Sequence, residues 1–358
     1  MIATWLPLTE RSTVADALAL PTEGYMKAAI LIVILAATAS AAAAQDEGAT
    51  QATKAQPAAF AQGSGAAVQP RPAASIRKER RGSMSGYIAD ATIDDHVRVR
   101  FDAGFHNTRP DRSEFFYAQC GCNGPNGPGP VGTADDLNFK QLTVDAQYAV
   151  TSRVALLATL PVRFIQPQHF FNRAATFGNS SGISDVRVGV KAALVSDVDT
   201  VLTAQVQGYV PTGDPRKGLG TDHASIEPAL LLYRKLSDVL AIESQLSDWH
   251  PIGGSSASGS SYTGDVLSYG IGPSFELVHT SSVTFAPVVE LVGWHLFGGQ
   301  QLQPPGKLVP ADANIVNLKF GARTTIDDTH SLYVGYGRAL TNAVWYTDIF
   351  RVEYRYSF

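Results

Sequence analysis

Charge is scarce in this chain. Only 17% of its 358 residues are Asp, Glu, Lys or Arg, against roughly 25% in typical soluble domains, which argues against a disordered or coiled-coil chain. The 28 basic and 32 acidic side chains leave a formal charge of −4, so no global basic field exists to hold phosphate backbones, and nucleic acid is excluded as a partner. Two cysteines are too few for a disulfide-rich scaffold or a four-cysteine zinc module. Long apolar runs are missing as well: past residue 44 none approaches the roughly 18 residues that a membrane helix needs. Any membrane role for that part of the chain must use strands.

Residues 1–25 mix Glu10, Arg11, Asp16 and Glu23 with short apolar stretches and show no period; they read as an upstream extension. Met26 and Lys27 then precede an uncharged run, Ala28 to Ala44, that holds Ile30 to Leu35 and closes in small residues. A positive start, an apolar middle and an Ala-x-Ala exit form a secretory signal over 26–44, with translation starting at Met26 and cleavage before Gln45. An uncleaved anchor helix is the alternative. Residues 45–95 read as an Ala/Gln/Pro-rich flexible linker and amino-terminal segment, since Gln45 to Ser75 has too few large side chains to offset its ordering entropy. The basic cluster Arg77, Lys78, Arg80 and Arg81 reads as a solvated charge run, with contact to anionic headgroups or a plug in a barrel mouth as alternatives.

From His96 to Phe358 the dominant period is two, the mark of strands with one apolar and one polar face. Phe350, Val352, Tyr354, Tyr356 and Phe358 share one face of the last segment, and Arg351, Glu353 and Arg355 the other. Val97, Val99, Phe101, Ala103 and Phe105 alternate with Arg98, Arg100 and Asp102, and Val186, Val188, Val190, Ala192 and Leu194 alternate with Arg187 and Lys191. Twelve such segments follow one another, joined by connections that alternate long and short, as an outer-membrane barrel requires. Closure follows because backbone groups facing hydrocarbon must all pair within the protein. The expected fold is therefore all-β: a transmembrane antiparallel barrel of about twelve strands in the outer membrane of a diderm bacterium. Pro161, Pro228, Pro273 and Pro287 fall inside the proposed strands, and Pro273 and Pro287 call for a bulge or local distortion.

Lipid takes the apolar face and water the polar one. The polar face supplies the lumen candidates Arg98, Arg100, Asp102, Asp145, Arg163, Asp185, Arg187, Lys191, Glu243, Glu290, Arg323, Arg351, Glu353 and Arg355, joined by Glu227 and Lys319. In a closed barrel Arg98, Arg100 and Asp102 should meet Arg351, Glu353 and Arg355. A mutually paired wall is the favoured reading and a selectivity ring the other. Twelve strands lie between a filled barrel of eight and an open porin of sixteen, so the lumen could be open or blocked.

An outer-membrane hydrolase is the rival from a different class. Ser244, Asp248 and His250 share one parity, but positions 244 and 250 are about 20 Å apart on an extended strand, too far for nucleophile and base. His106, His169, His223, His250 and His295 fall near the extracellular ends, where polar interfacial residues belong, so no metal and no catalytic residue is assigned. Cys120 and Cys122 sit in the first long loop and could close a tight disulfide in an oxidising compartment. Pro211 to Gly220 superficially suggests a phosphate loop, but lacks the required Gly and Lys order and precedes no helix.

The segment Gly182 to Lys191, followed by Val210, Pro211, Thr212, Gly213 and Asp214, resembles the paired signature of the outer-membrane proteins named for the meta-pathway of phenol degradation. The resemblance runs over residues 96–358, through Ser331 to Gly337, to Phe358. The end of the chain, with Tyr354, Tyr356 and Phe358, resembles the carboxy-terminal signal read by the barrel-assembly machinery. The family implies a barrel labelled as a transporter, and uptake of small hydrophobic or aromatic compounds; it brings no catalytic residues. The Ala-rich linker and the Cys120–Cys122 loop depart from its pattern. The expected function is a passive channel for a small-molecule solute, with outer-membrane lipid around it, no cofactor, and the loops 107–137, 211–223 and 250–263 at the mouth. A non-conducting structural or adhesive barrel is the alternative.

Overall fold

The computed structural model describes residues 82–121, 127–257, 260–303 and 307–358. The signal segment, its cleavage site, the linker to residue 81 with its basic cluster, and Cys122 of the proposed disulfide lie outside the described residues.

The chain is laid out as twelve antiparallel strands. They are β1 His96–Asn107, β2 Ala134–Ala149, β3 Val154–Phe170, β4 Val186–Ser196, β5 Thr200–Val210, β6 Ala224–Lys235, β7 Leu240–Ile252, β8 Asp265–Phe275, β9 Val283–Phe297, β10 Ala313–Ile326, β11 His330–Ala339 and β12 Asp348–Ser357. Each pairs with its neighbours in sequence, and β1 pairs with β12 from His96↔Ser357 to Phe105↔Asp348. That last ladder closes a 12-strand barrel without an edge. A short strand, Ser180–Ile183, extends the wall beside β3.

The period of two becomes an inside and an outside. Along β12, Arg351, Glu353 and Arg355 are buried while Phe350, Val352, Tyr354 and Tyr356 are exposed. Val188 and Val190 on β4, Leu246 on β7, and Leu332 and Val334 on β11 are exposed too. An apolar outer surface around a fully paired sheet is stable only in hydrocarbon, and this is the architecture of an outer-membrane barrel. Tight turns join the strands at the periplasmic end. At Asp327 and Asp328, φ is 50° and 56°, a double left-handed turn of the kind that matches the strand twist.

Neither Pro273 nor Pro287 produces a bulge, and the local distortion is a gap in the ladder at Pro273. Opposite β9 the ladder passes from Ile271↔Leu291 to Ser274↔Val288 without slipping, so Pro273 loses bonds on one side but no register. Pro287 keeps its place opposite Ala322, and its other side falls where the β8·β9 ladder has already ended. The register shifts fall elsewhere, between Gly104 and Asn107 against β2, at the start of β2, and between Ala193 and Val195.

Candidate functional site

The seam between β1 and β12 brings charges into register: Arg98↔Arg355, Arg100↔Glu353 and Asp102↔Arg351. Asp102 accepts from Arg351 Nε at 2.6 Å and Nη2 at 3.0 Å, the forked geometry that makes such pairs strong. Glu353 accepts from Arg323 at 2.7 Å and lies 3.7 Å from Arg98. Asp145 on β2 accepts from Arg98 at 3.2 Å and from Thr159 at 2.8 Å. Arg98, Asp145 and Thr159 face one another on neighbouring strands, whereas the contacts between β1 and β12 exist only because the barrel closes.

Most of the remaining wall charges hold a segment that the sequence groups with the linker. Residues 82–95 form a strap inside the lumen. From β1 the strap rises past Gln147 and Thr203, reaches mid-height at Gly86 to Ile88, and descends to Ser83 beside Arg355, so both its ends lie in the periplasmic half. It has no regular structure, so its backbone groups must find partners elsewhere, and the wall provides them. Glu290 accepts from the N–H groups of Gly86, Tyr87 and Ile88 at 3.3, 2.9 and 2.9 Å, and from the Tyr333 hydroxyl at 3.1 Å. Glu243 accepts from Met84 N and Ser85 N at 2.9 and 3.0 Å, and from the Ser83 and Ser85 hydroxyls at 2.6 and 2.9 Å. Neither carboxylate has a cation within 4 Å among the described residues; neutral donors take that place, as in an anion-binding nest.

The strap's carbonyls are met in turn. Arg323 donates to Met84 and Ser85, Arg351 to Gly86, Arg355 to Ser83, Lys191 to Asp90 and Thr203 to Ala91. Arg355 also donates to the Asp90 carboxylate at 3.2 Å. At the apex the Tyr87 ring lies between two cations, Lys319 Nζ at 3.9 Å and the Arg351 guanidinium at 4.1 Å from its centroid, a cation–π clamp. Gly86 is needed there because an added Cβ would fall 2.1 Å from the Tyr333 ring.

The first long loop caps the lumen from the other side. Its residues Asp111 to Glu114 are buried, with φ of 52° at Ser113 and 53° at Glu114. Glu114 accepts from Gln119 N and Ser255 N, each at 3.1 Å, and lies 3.7 Å from His223 Nε2. Phe115 stands between Trp249 and Trp345, its centroid 5.1 and 5.3 Å from theirs. Burial pushes the Asp111 carboxyl up to about 6, against the pull of Arg109 and Arg112. Arg163 belongs to this cap, donating to Phe116 O at 2.6 Å and lying over the Phe116 ring. Asp185 accepts from Gly213 N and Thr221 N and pins the 211–223 loop. Between cap and strap remains a chamber of about 280 Å³, bordered by Tyr87, Phe115, Arg187, Tyr209 and Trp294.

The sequence placed the wall charges on the inner face but gave them only each other as partners. Their attachment to residues 82–95 leaves no local signal, since that segment is aperiodic and its partners are distant in sequence. The rim histidines point outward with polar neighbours: His106 to Asp136, His169 to Asp135, His250 to Asp265 and His295 to Asn314. His223 differs, being buried against the cap. Cys120 is buried in the cap. Phe358 is exposed, and its N–H donates to Asp95 O at 3.1 Å.

No family model matches the sequence, and no curated protein matches it. Among solved structures the chain is similar to an outer membrane channel from Pseudomonas putida F1, at 16% identity over 76% of this chain and 99% of that one, with a TM-score of 0.48. It is also similar to the beta domain of the Bordetella autotransporter Brka, at 16% identity over 74% of this chain and 100% of that one, with a TM-score of 0.44. The NanC porin is 11% identical over 74% of this chain and 100% of its own, with a TM-score of 0.41.

Proposed function

We propose that the chain is an outer-membrane channel for small solutes, closed at rest by its strap and cap and conducting when the strap leaves the lumen. The observation that carries this reading is the character of the wall under the strap. Glu243 and Glu290 are buried carboxylates held by neutral donors of the strap, and such a surface can exist without the strap only if water takes those places. A barrel built only to be solid would line its interior more cheaply with apolar side chains. The likeness of Gly182 to Lys191 and Val210 to Asp214 to the phenol meta-pathway family supports small hydrophobic or aromatic compounds as the solutes.

Planar-bilayer recording of the full chain tests the reading. Glu290→Ala removes the acceptor of three strap N–H groups, and the open fraction of the channel should rise at least tenfold, the weight of about 1.4 kcal/mol or more lost from the seated strap. A non-conducting structural barrel predicts silence from both proteins, and silence from the variant with its strap displaced would sink the channel.

A further inference from the structure

We propose that the chamber between strap and cap is a binding site for small carboxylate anions, with Arg187 as the group that meets the carboxylate. This rests on the channel reading and narrows its solutes to those that carry a carboxylate.

More cations than carboxylates border the chamber: Arg98, Arg100, Arg187, Lys191 and Arg351, against Asp90, Asp145 and Glu227. Of these cations Arg98, Arg100 and Arg351 are paired, with Asp102 and Glu353 standing behind them. All three bordering carboxylates are already engaged. Asp90 is held by Arg355 and Thr92, Asp145 by Arg98 and Thr159, and Glu227 by the hydroxyls of Tyr209 and Ser247.

Two of the cations, Arg187 and Lys191, are less completely used. Arg187 lies 5.5 Å from the Tyr209 ring centroid, interacts with its hydroxyl and feels the charges of Asp145 and Glu227, but has no carboxylate within 4 Å among the described residues. Lys191 donates to two neutral oxygens, Asp90 O at 2.6 Å and Gln147 Oε1 at 2.8 Å. Arg100, by contrast, is engaged, its Nε 3.4 Å from Asp102 Oδ2 and its Nη2 3.9 Å from Asp145 Oδ2. Gln205, Gln207 and Gln245 add neutral amides around them.

Cations without a close carboxylate inside low-dielectric walls attract an anion far more strongly than they would in water. The planar guanidinium fork of Arg187 fits a carboxylate in two-point geometry. The volume of about 280 Å³ lies just under the roughly 300–1,000 Å³ of pockets for drug-sized ligands, so the solute is small.

The test is titration of the purified full chain in detergent with sodium propionate, read by tryptophan fluorescence because Trp294 borders the chamber, with sodium chloride as the control for ionic strength. Saturable binding is expected in the natural protein, weakened at least tenfold by Arg187→Gln, as for loss of charge-assisted hydrogen bonds, and weakened less by Arg187→Lys, which keeps the charge but loses the fork. If Arg187→Gln does not fold, Gln207→Glu is the second variant: a carboxylate added beside the chamber should abolish propionate binding. No saturable response, or equal affinity in Arg187→Gln or Gln207→Glu, overturns the site even if the channel conducts. An Arg187-dependent response from a protein silent in bilayers keeps the site and discards the channel.

Discussion

Buried polar side chains here work in opposite senses according to what surrounds them. Glu290 is fully buried and ringed by donors, whereas Asp111 is buried with no hydrogen-bond partner for either carboxylate oxygen among the described residues. The second case gives a pH dependence. The Asp111 carboxyl titrates near 6 in the seated cap and at about 3.8 when exposed, so the closed cap binds the extra proton. The contribution to closure is fully present below the exposed value and is lost as pH rises through about 6, a change of about 3 kcal/mol. Tryptophan emission from the Phe115, Trp249 and Trp345 cluster should therefore report a tighter cap at pH 4 than at pH 7. Asp111→Asn should flatten that difference, and an unchanged profile would show that another group controls the cap. The parity of the wall charges was readable from the sequence, because alternation within a strand needs no partner. The fate of Asp111 was not, since its burial is decided by how a long loop packs on distant strands.

At the scale of elements, strands were legible and the strap was not. β5 and β6 run from Thr200 to Val210 and from Ala224 to Lys235, the spans that alternation alone delimits. β2 and β3 extend beyond their periodic parts, to Ala134 and Phe170, because they pair with each other above the apolar belt. Ser83 to Asp90 has no period to betray it and reads as an extension of the linker. Its seating is open to a direct check, since a Cβ built on Gly270 lies 3.1 Å from Ile88 Cγ1. In a chain with Cys120 and Cys122 replaced by Ser, the pair Ile88→Cys and Gly270→Cys should form a disulfide on oxidation that holds the apex in place. Bilayer current should then be suppressed when oxidised and return with reductant. Failure of the two cysteines to join would mean that the strap lies elsewhere.

For the whole molecule, closure is the decisive property, and the sequence implied it because strands with an apolar face toward hydrocarbon can leave no backbone edge unpaired. Which charges would meet at the seam also followed from order along the chain, because first and last strands must adjoin. Asp102→Ala strips Arg351 of its carboxylate inside the seam, and removing one member of a buried pair costs roughly 3–5 kcal/mol. The denaturant midpoint of the purified barrel, followed by the gel mobility of unheated samples, should fall accordingly. An unaltered midpoint would show that backbone pairing alone secures the seam. The stopper of this barrel is continuous with the strand that closes it, Asp95 leading directly into His96. In the proposed gating it would swing aside without drifting away, so each molecule would keep its own cork at a fixed and high local concentration. Resealing would then be a unimolecular event that calls on no second protein, its rate independent of how many copies the membrane holds.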